Sequence, residues 1–173
     1  MSKKWFLLFI MSLISCGVFA QSKVRVKRNQ LSQLEVIIKA NPDIYHLVMK
    51  RTRLTSIPTE IGALEKLDSL DLYYNRIRTI PDSAVYLLEN LRYLRMGKNP
   101  MRYLPATIAQ LHNLETLDLW NAEIDDFAPE FLQMNWLKKL DLRQTRLSRD
   151  QLQQIRDALP DTEIKATWQC DCK

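Results

Sequence analysis

Side chains able to do covalent or acid–base chemistry are scarce in this chain of 173 residues. There are two histidines, His46 and His112. A nucleophile–histidine–carboxylate group needs its histidine beside the other two members, and each histidine here stands alone. Three glycines leave no glycine-rich loop to cradle a phosphate. The adjacent carboxylates Asp125 and Asp126 read as solvated loop rather than as a general acid and base. Cys170 and Cys172 lie in the last four residues. Metal binding needs more ligands than that tail offers. A bridge between them is geometrically awkward, because the Cα separation of an extended Cys-x-Cys pair sits at the edge of the allowed range. An intermolecular disulfide, a partner thiol and free thiols all stay open for these two residues. No catalytic group, metal or cofactor is expected. What the chain offers instead is aromatic and cationic side chains: Tyr73, Tyr74, Tyr93, Arg95, Lys98, Trp120 and Arg143. Aromatics with arginine are enriched where protein interfaces carry their energy.

The elements that must position them are repeats. LDSLDLYYNRIRTIP starts at Leu67, LRYLRMGKNPMRYLP at Leu91 and LETLDLWNAEIDDFA at Leu114. A degraded copy, IYHLVMKRTRLTSIP, starts at Ile44, and a last one, LKKLDLRQTRL, at Leu137. The steps are 23, 24, 23 and 23 residues. Leucines recurring at that period are the signature of a stacked solenoid. The chain resembles leucine-rich repeat proteins, and its I/L-P-x-x-I-x-x-L ending resembles the 23-residue subtype found in bacteria and in Ras-associated repeat proteins. The resemblance covers residues 44–165. It implies an α/β fold: a leucine-rich repeat solenoid with a parallel concave β-sheet, an N-terminal capping helix and a C-terminal helix–strand cap. A scaffold of this kind does not fix what it carries.

Each repeat opens on a short strand, so alternate side chains share a face. The inward pairs are Leu47/Met49, Leu70/Leu72, Leu94/Met96, Leu117/Leu119 and Leu140/Leu142. The family places at the ninth position an asparagine that bonds neighbouring backbone and holds the turn. Asn75 and Asn99 match it. Thr52, Ala122 and Thr145 depart from it, and Ala122 can make no such bond, which puts the fourth repeat's turn in doubt. The second repeat carries an extra residue near Ala84 and Val85, expected on the convex side.

Outward positions line up in columns. One reads Val48, Asp71, Arg95, Asp118, Asp141; the next reads Lys50, Tyr73, Gly97, Trp120, Arg143. His46 falls outward on the concave face and His112 at the convex end of the third repeat, so they cannot share a site. Tyr73 and Trp120 fall two strands apart with Gly97 between them. At about 4.8 Å per strand, their rings are expected roughly 10 Å apart, a gap for one inserted side chain or sugar ring. The competing reading is that these rings pack across strands for stability, beside a charge ladder worth little.

The ends complete the organisation. Lys3 and Lys4, the apolar run from Trp5 to Ile14, and Val18-Phe19-Ala20 read as a signal peptide over residues 1–20. The alternative is a lipobox, Leu13-Ile14-Ser15-Cys16, with Cys16 lipidated. Either reading exports the protein. Residues 21–43 are expected to form a basic tail (Lys23, Arg25, Lys27, Arg28), solvated rather than lipid-bound or polysaccharide-bound, and a capping helix over residues 29–40. That helix would start at Asn29 or at a Ser32-x-x-Glu35 box. Five repeats follow over residues 44–66, 67–90, 91–113, 114–136 and 137–147 onward. Residues 148–173 are the C-terminal cap and tail, with a Ser148-x-x-Gln151 capping box and an edge strand at residues 162–167. The net charge is +5, of which Lys3 and Lys4 carry two. So small a surplus does not suggest nucleic acid.

The residues thus describe an exported, non-enzymatic module that binds another protein on its concave face. It would be secreted, periplasmic or on the cell surface, and membrane-bound only if Cys16 is lipidated. A glycan or cell-wall binder, and a structural spacer subunit, are the alternatives.

Overall fold

Alternation of apolar and polar residues at a 23-residue period forces strands that stack edge to edge, and the computed structural model, which describes residues 22–167, shows them. The strands are Ser22–Arg25 (β1), Ile44–Val48 (β2), Ser69–Asp71 (β3), Tyr93–Arg95 (β4), Tyr103–Leu104 (β5), Thr116–Asp118 (β6), Asp126–Phe127 (β7), Lys139–Asp141 (β8) and Glu163–Lys165 (β9). Seven form one parallel sheet in the order β1-β2-β3-β4-β6-β8-β9, while β5 pairs with β7 in a two-stranded sheet. Residues 1–20 with Cys16, and Cys170 and Cys172, lie outside the described residues.

Register follows the repeat. Leu47, Leu70, Leu94, Leu117 and Leu140 are successive partners across the sheet. All five are at most 1% exposed. Burying a leucine is worth about 1.5–3 kcal/mol, so these rows are what make the repeats cohere. The second row, Met49, Leu72, Met96, Leu119 and Leu142, is equally buried.

The turn after each strand needs its polar groups satisfied away from water. Asn75 Oδ1 accepts from the Thr52 and Leu54 N–H groups at 2.9 and 3.2 Å. Its Nδ2 donates to the Met49 and Leu72 carbonyls. Asn99 accepts from the Ile77 N–H at 3.0 Å and donates to the Leu72 and Met96 carbonyls. Each asparagine therefore ties its own turn to the preceding repeat. Thr52 and Thr145 substitute with hydroxyl bonds to the Met49 and Leu142 carbonyls. The turn at Ala122 forms nonetheless. Its N–H donates to the Leu119 carbonyl at 3.0 Å, and its methyl is buried.

The convex side is made of short 3-10 turns, Thr59–Ala63, Ala106–Gln110 and Pro129–Gln133, which bury Ile61, Ile108 and Phe131. The extra residue of the second repeat is absorbed by a helical turn at Asp82–Val85 instead, and β3 and β4 stay in register.

Two features of the N-terminus differ from expectation. The basic stretch is no free tail: β1 pairs in parallel with β2, and Val26 is 1% exposed. The alternation Lys23-Val24-Arg25-Val26 carried that signal, but its charge masked it. The cap then starts early, as a 3-10 helix at Arg28–Gln33 that passes into an α-helix at Leu34–Ala40. Neither Asn29 nor Ser32 caps it; Gln30 Oε1 accepts from the Lys27 N–H. Leu34, Ile37 and Ile38 still face the core, and Asn41 closes the helix through the Ile37 carbonyl. At the other end the capping box is present, with Ser148 and Gln151 exchanging bonds at 2.9 and 3.2 Å. It opens an α-helix at Arg149–Ala158 that buries Leu152 and Ile155. β9 closes the sheet against β8.

Candidate concave-face site

Three aspartates set the backbone of the concave face. Asp71, Asp118 and Asp141 each accept the N–H two residues on, from Tyr73, Trp120 and Arg143, at 2.9, 3.0 and 3.1 Å. The carboxylate closes a local turn and so fixes where the next outward side chain leaves the sheet.

On that frame the rings of Tyr73 and Trp120 stack, with centroids 5.9 Å apart and planes at 17°. The expected gap of roughly 10 Å is therefore closed. Gly97 stands between the two strands and offers no side chain to hold the rings apart, so they lean together over it. Nor could a larger residue reopen the gap simply. A Cβ at Gly97 would lie 2.4 Å from the Trp120 carbonyl oxygen. Tyr74 lies beside Tyr73 at 6.2 Å and is the most exposed ring of the three.

Cations complete the cluster. The Arg95 guanidinium carbon lies 4.2 Å from the Tyr73 centroid. Its Nε is 2.9 Å from Asp118 Oδ2, and its Nη1 is 3.9 Å from Asp71. The Nε contact is an ion pair without hydrogen-bond alignment, and that atom has no hydrogen-bond partner. Lys98 Nζ lies 4.9 Å from the Trp120 ring and 5.6 Å from Tyr74. Arg51, outside the expected site, stands 5.4 Å from the Tyr74 ring. Cation–ring contacts of this kind are worth about 0.5–1 kcal/mol where exposed.

Two expected members sit apart. Tyr93 is half-buried on β4, facing Ser69 and Thr116 in register. Burial, reinforced by Asp118, pushes its hydroxyl pKa up. Arg143 folds back onto Asp141 through both nitrogens of its fork, at 3.0 and 2.6 Å. Burial pushes Asp141 upward, but the Arg143 bonds and charge outweigh it and hold the carboxyl below its ordinary value. The histidines lie apart, as the repeat requires. His46 is on β2 and His112 packs against Trp136 at 4.8 Å. Among the described residues no three His, Cys, Asp or Glu side chains are grouped to hold a metal ion.

Comparison with known proteins gives a consistent picture. Residues 42–101 match a family model described as leucine rich repeat. Over 94 residues the chain is 32% identical to leucine-rich repeat and calponin homology domain-containing protein 1 of Mus musculus, an alignment that takes in 54% of this chain and 13% of that protein. A leucine-rich repeat protein of Leptospira interrogans superposes with a TM-score of 0.64 at 29% identity, over 73% of this chain and 33% of its own. Internalin C2 of Listeria monocytogenes superposes at 0.63 and 24% identity, over 80% and 57%.

Proposed function

We propose that this leucine-rich repeat protein is a non-enzymatic module, acting outside the cytoplasm, that binds another protein through its concave face. Its fold is one typical of protein-binding modules. The observation that carries the reading is the cluster of Tyr73, Trp120 and Tyr74 with Arg95 and Lys98 along the concave parallel sheet. These side chains are held in place before any partner arrives, so binding orders little that is not already ordered. The leader pattern at residues 1–20 supports export.

For the glycan reading the cluster leaves one largely exposed ring, Tyr74. A sugar needs a free ring face to stack on. One face of Tyr73 meets Trp120, Arg95 lies against the same ring, and Lys98 stands over Trp120. The test is affinity capture from source-cell extract with the wild-type chain and with Trp120→Ala in parallel. A protein retained only by the wild type, and bound again once purified, supports the reading. Equal retention by both chains counts against it.

A further inference from the structure

Four cations converge beside this face with no carboxylate among them. Arg51, Arg53, Arg76 and Lys98 line an open recess of about 340 Å³ with Tyr74 and Asn75. The repeat puts them there. Arg51, Tyr74 and Lys98 hold the same place in successive repeats, where the strand ends and the chain turns through φ of 59°, 58° and 52°. Arg53 and Arg76 follow two residues later in their own repeats.

At four other places on the solenoid an arginine is answered by a carboxylate. Arg92 faces Glu115, Arg102 faces Asp125, Arg143 faces Asp141 and Arg146 faces Glu123. At the place of Arg53 and Arg76, the third repeat has Pro100 and the fourth Glu123. The surplus is thus confined to the first three repeats. Among the described residues none of the four cations has a carboxylate within ion-pair distance; Arg51 and Lys98 contact only the Tyr74 ring and its neighbours. A basic concavity without counter-charge raises the local concentration of anions, and guanidinium forks match planar carboxylates.

We propose that this recess takes the side-chain carboxylates of an acidic segment of the partner protein. The proposal rests on the concave-face reading, because Tyr74 and Lys98 belong to both surfaces and one partner would lie across both. Charge complementarity and this continuity favour an acidic peptide over a separate polyanion.

The experiment uses the purified full chain and a fluorescein-labelled hexaglutamate peptide, read by anisotropy at low salt. Arg51→Gln with Arg76→Gln should weaken binding by at least about tenfold, the loss of one or two charge-assisted hydrogen bonds. Glutamine is tolerated at the place of Arg51, since Gln144 holds the same place at φ 60°. Arg102→Gln with Lys138→Gln, cations already paired to Asp125 and Glu115, should change nothing. Circular dichroism confirms that each variant folds. Wild type that fails to bind, or a rim double variant that binds as well as wild type, overturns the proposal. So does an oligouridylate or heparin fragment that binds tighter than hexaglutamate through the same arginines. Trp120→Ala should keep the peptide while losing the partner, so the two readings fail separately. If the partner tolerates the rim double variant but not Trp120→Ala, the rim assignment falls and the concave face stands.

Discussion

Tyr73 and Trp120, two strands apart, stack at 5.9 Å across Gly97. The relationship ties the aromatic surface to a single small residue, because a side chain there would meet the Trp120 carbonyl oxygen at 2.4 Å. Gly97→Ala should therefore cost about 1–3 kcal/mol in urea unfolding, the range for an overpacked site, and should shift Trp120 emission. A neutral substitution with unchanged emission would show that the two strands are not this close.

The asparagine ladder makes a graded prediction. Asn75 bonds two N–H groups and two carbonyls. Thr145 bonds one carbonyl. Asn75→Ala should destabilise by about 1–3 kcal/mol, because it orphans buried groups on two repeats. Thr145→Val should cost less, about 0.5–1.5 kcal/mol. Equal losses in denaturant melts would mean that the bonds between repeats contribute nothing beyond the local turn.

His46 supplies a pH dependence. Burial, then the charge of Lys23, holds its imidazole below the ordinary 6.5, against the opposing pull of Asp71 and Asp68. The unfolded chain then takes up the proton at higher pH than the folded one. The stability from the neutral imidazole is present above 6.5 and is lost as pH falls through the lower folded value. His46→Gln should flatten the fall of Tm on that side of 6.5. A slope unchanged by the substitution would assign it to other groups.

Buried rows were readable in the chain because a 23-residue period repeats the same leucines, and each copy corroborates the others. Leu119 is an example. Its repeat position demands burial, the structure leaves it 0% exposed, and Leu119→Ala should cost about 2–5 kcal/mol. A loss under about 0.5 kcal/mol would contradict the register.

Non-repeating features were harder to read. β1 has only one copy, and its Lys and Arg residues resemble a solvated tail as much as a strand. The aromatic columns could be placed to the right strand and face, since register depends only on counting. How far rings lean could not be, because lean depends on the absent Cβ of Gly97 and on the Asp71 and Asp118 turns that aim Tyr73 and Trp120. The sequence carries no comparable signal for Arg53 and Arg76, for a related reason. They fall beyond the strand, where a left-handed turn rather than alternation sets position.

The central claim is that the concave aromatic cluster binds a protein. Its most direct test is the affinity of purified Trp120→Ala for the captured partner, measured beside the unfolding free energy of the same variant. Losing one stacked ring should cost about 0.5–1.5 kcal/mol of stability and weaken binding by at least about 2 kcal/mol, as for a central aromatic anchor. Unchanged affinity in the folded fraction, with stability lost, would contradict the account and leave the stack as sheet packing alone.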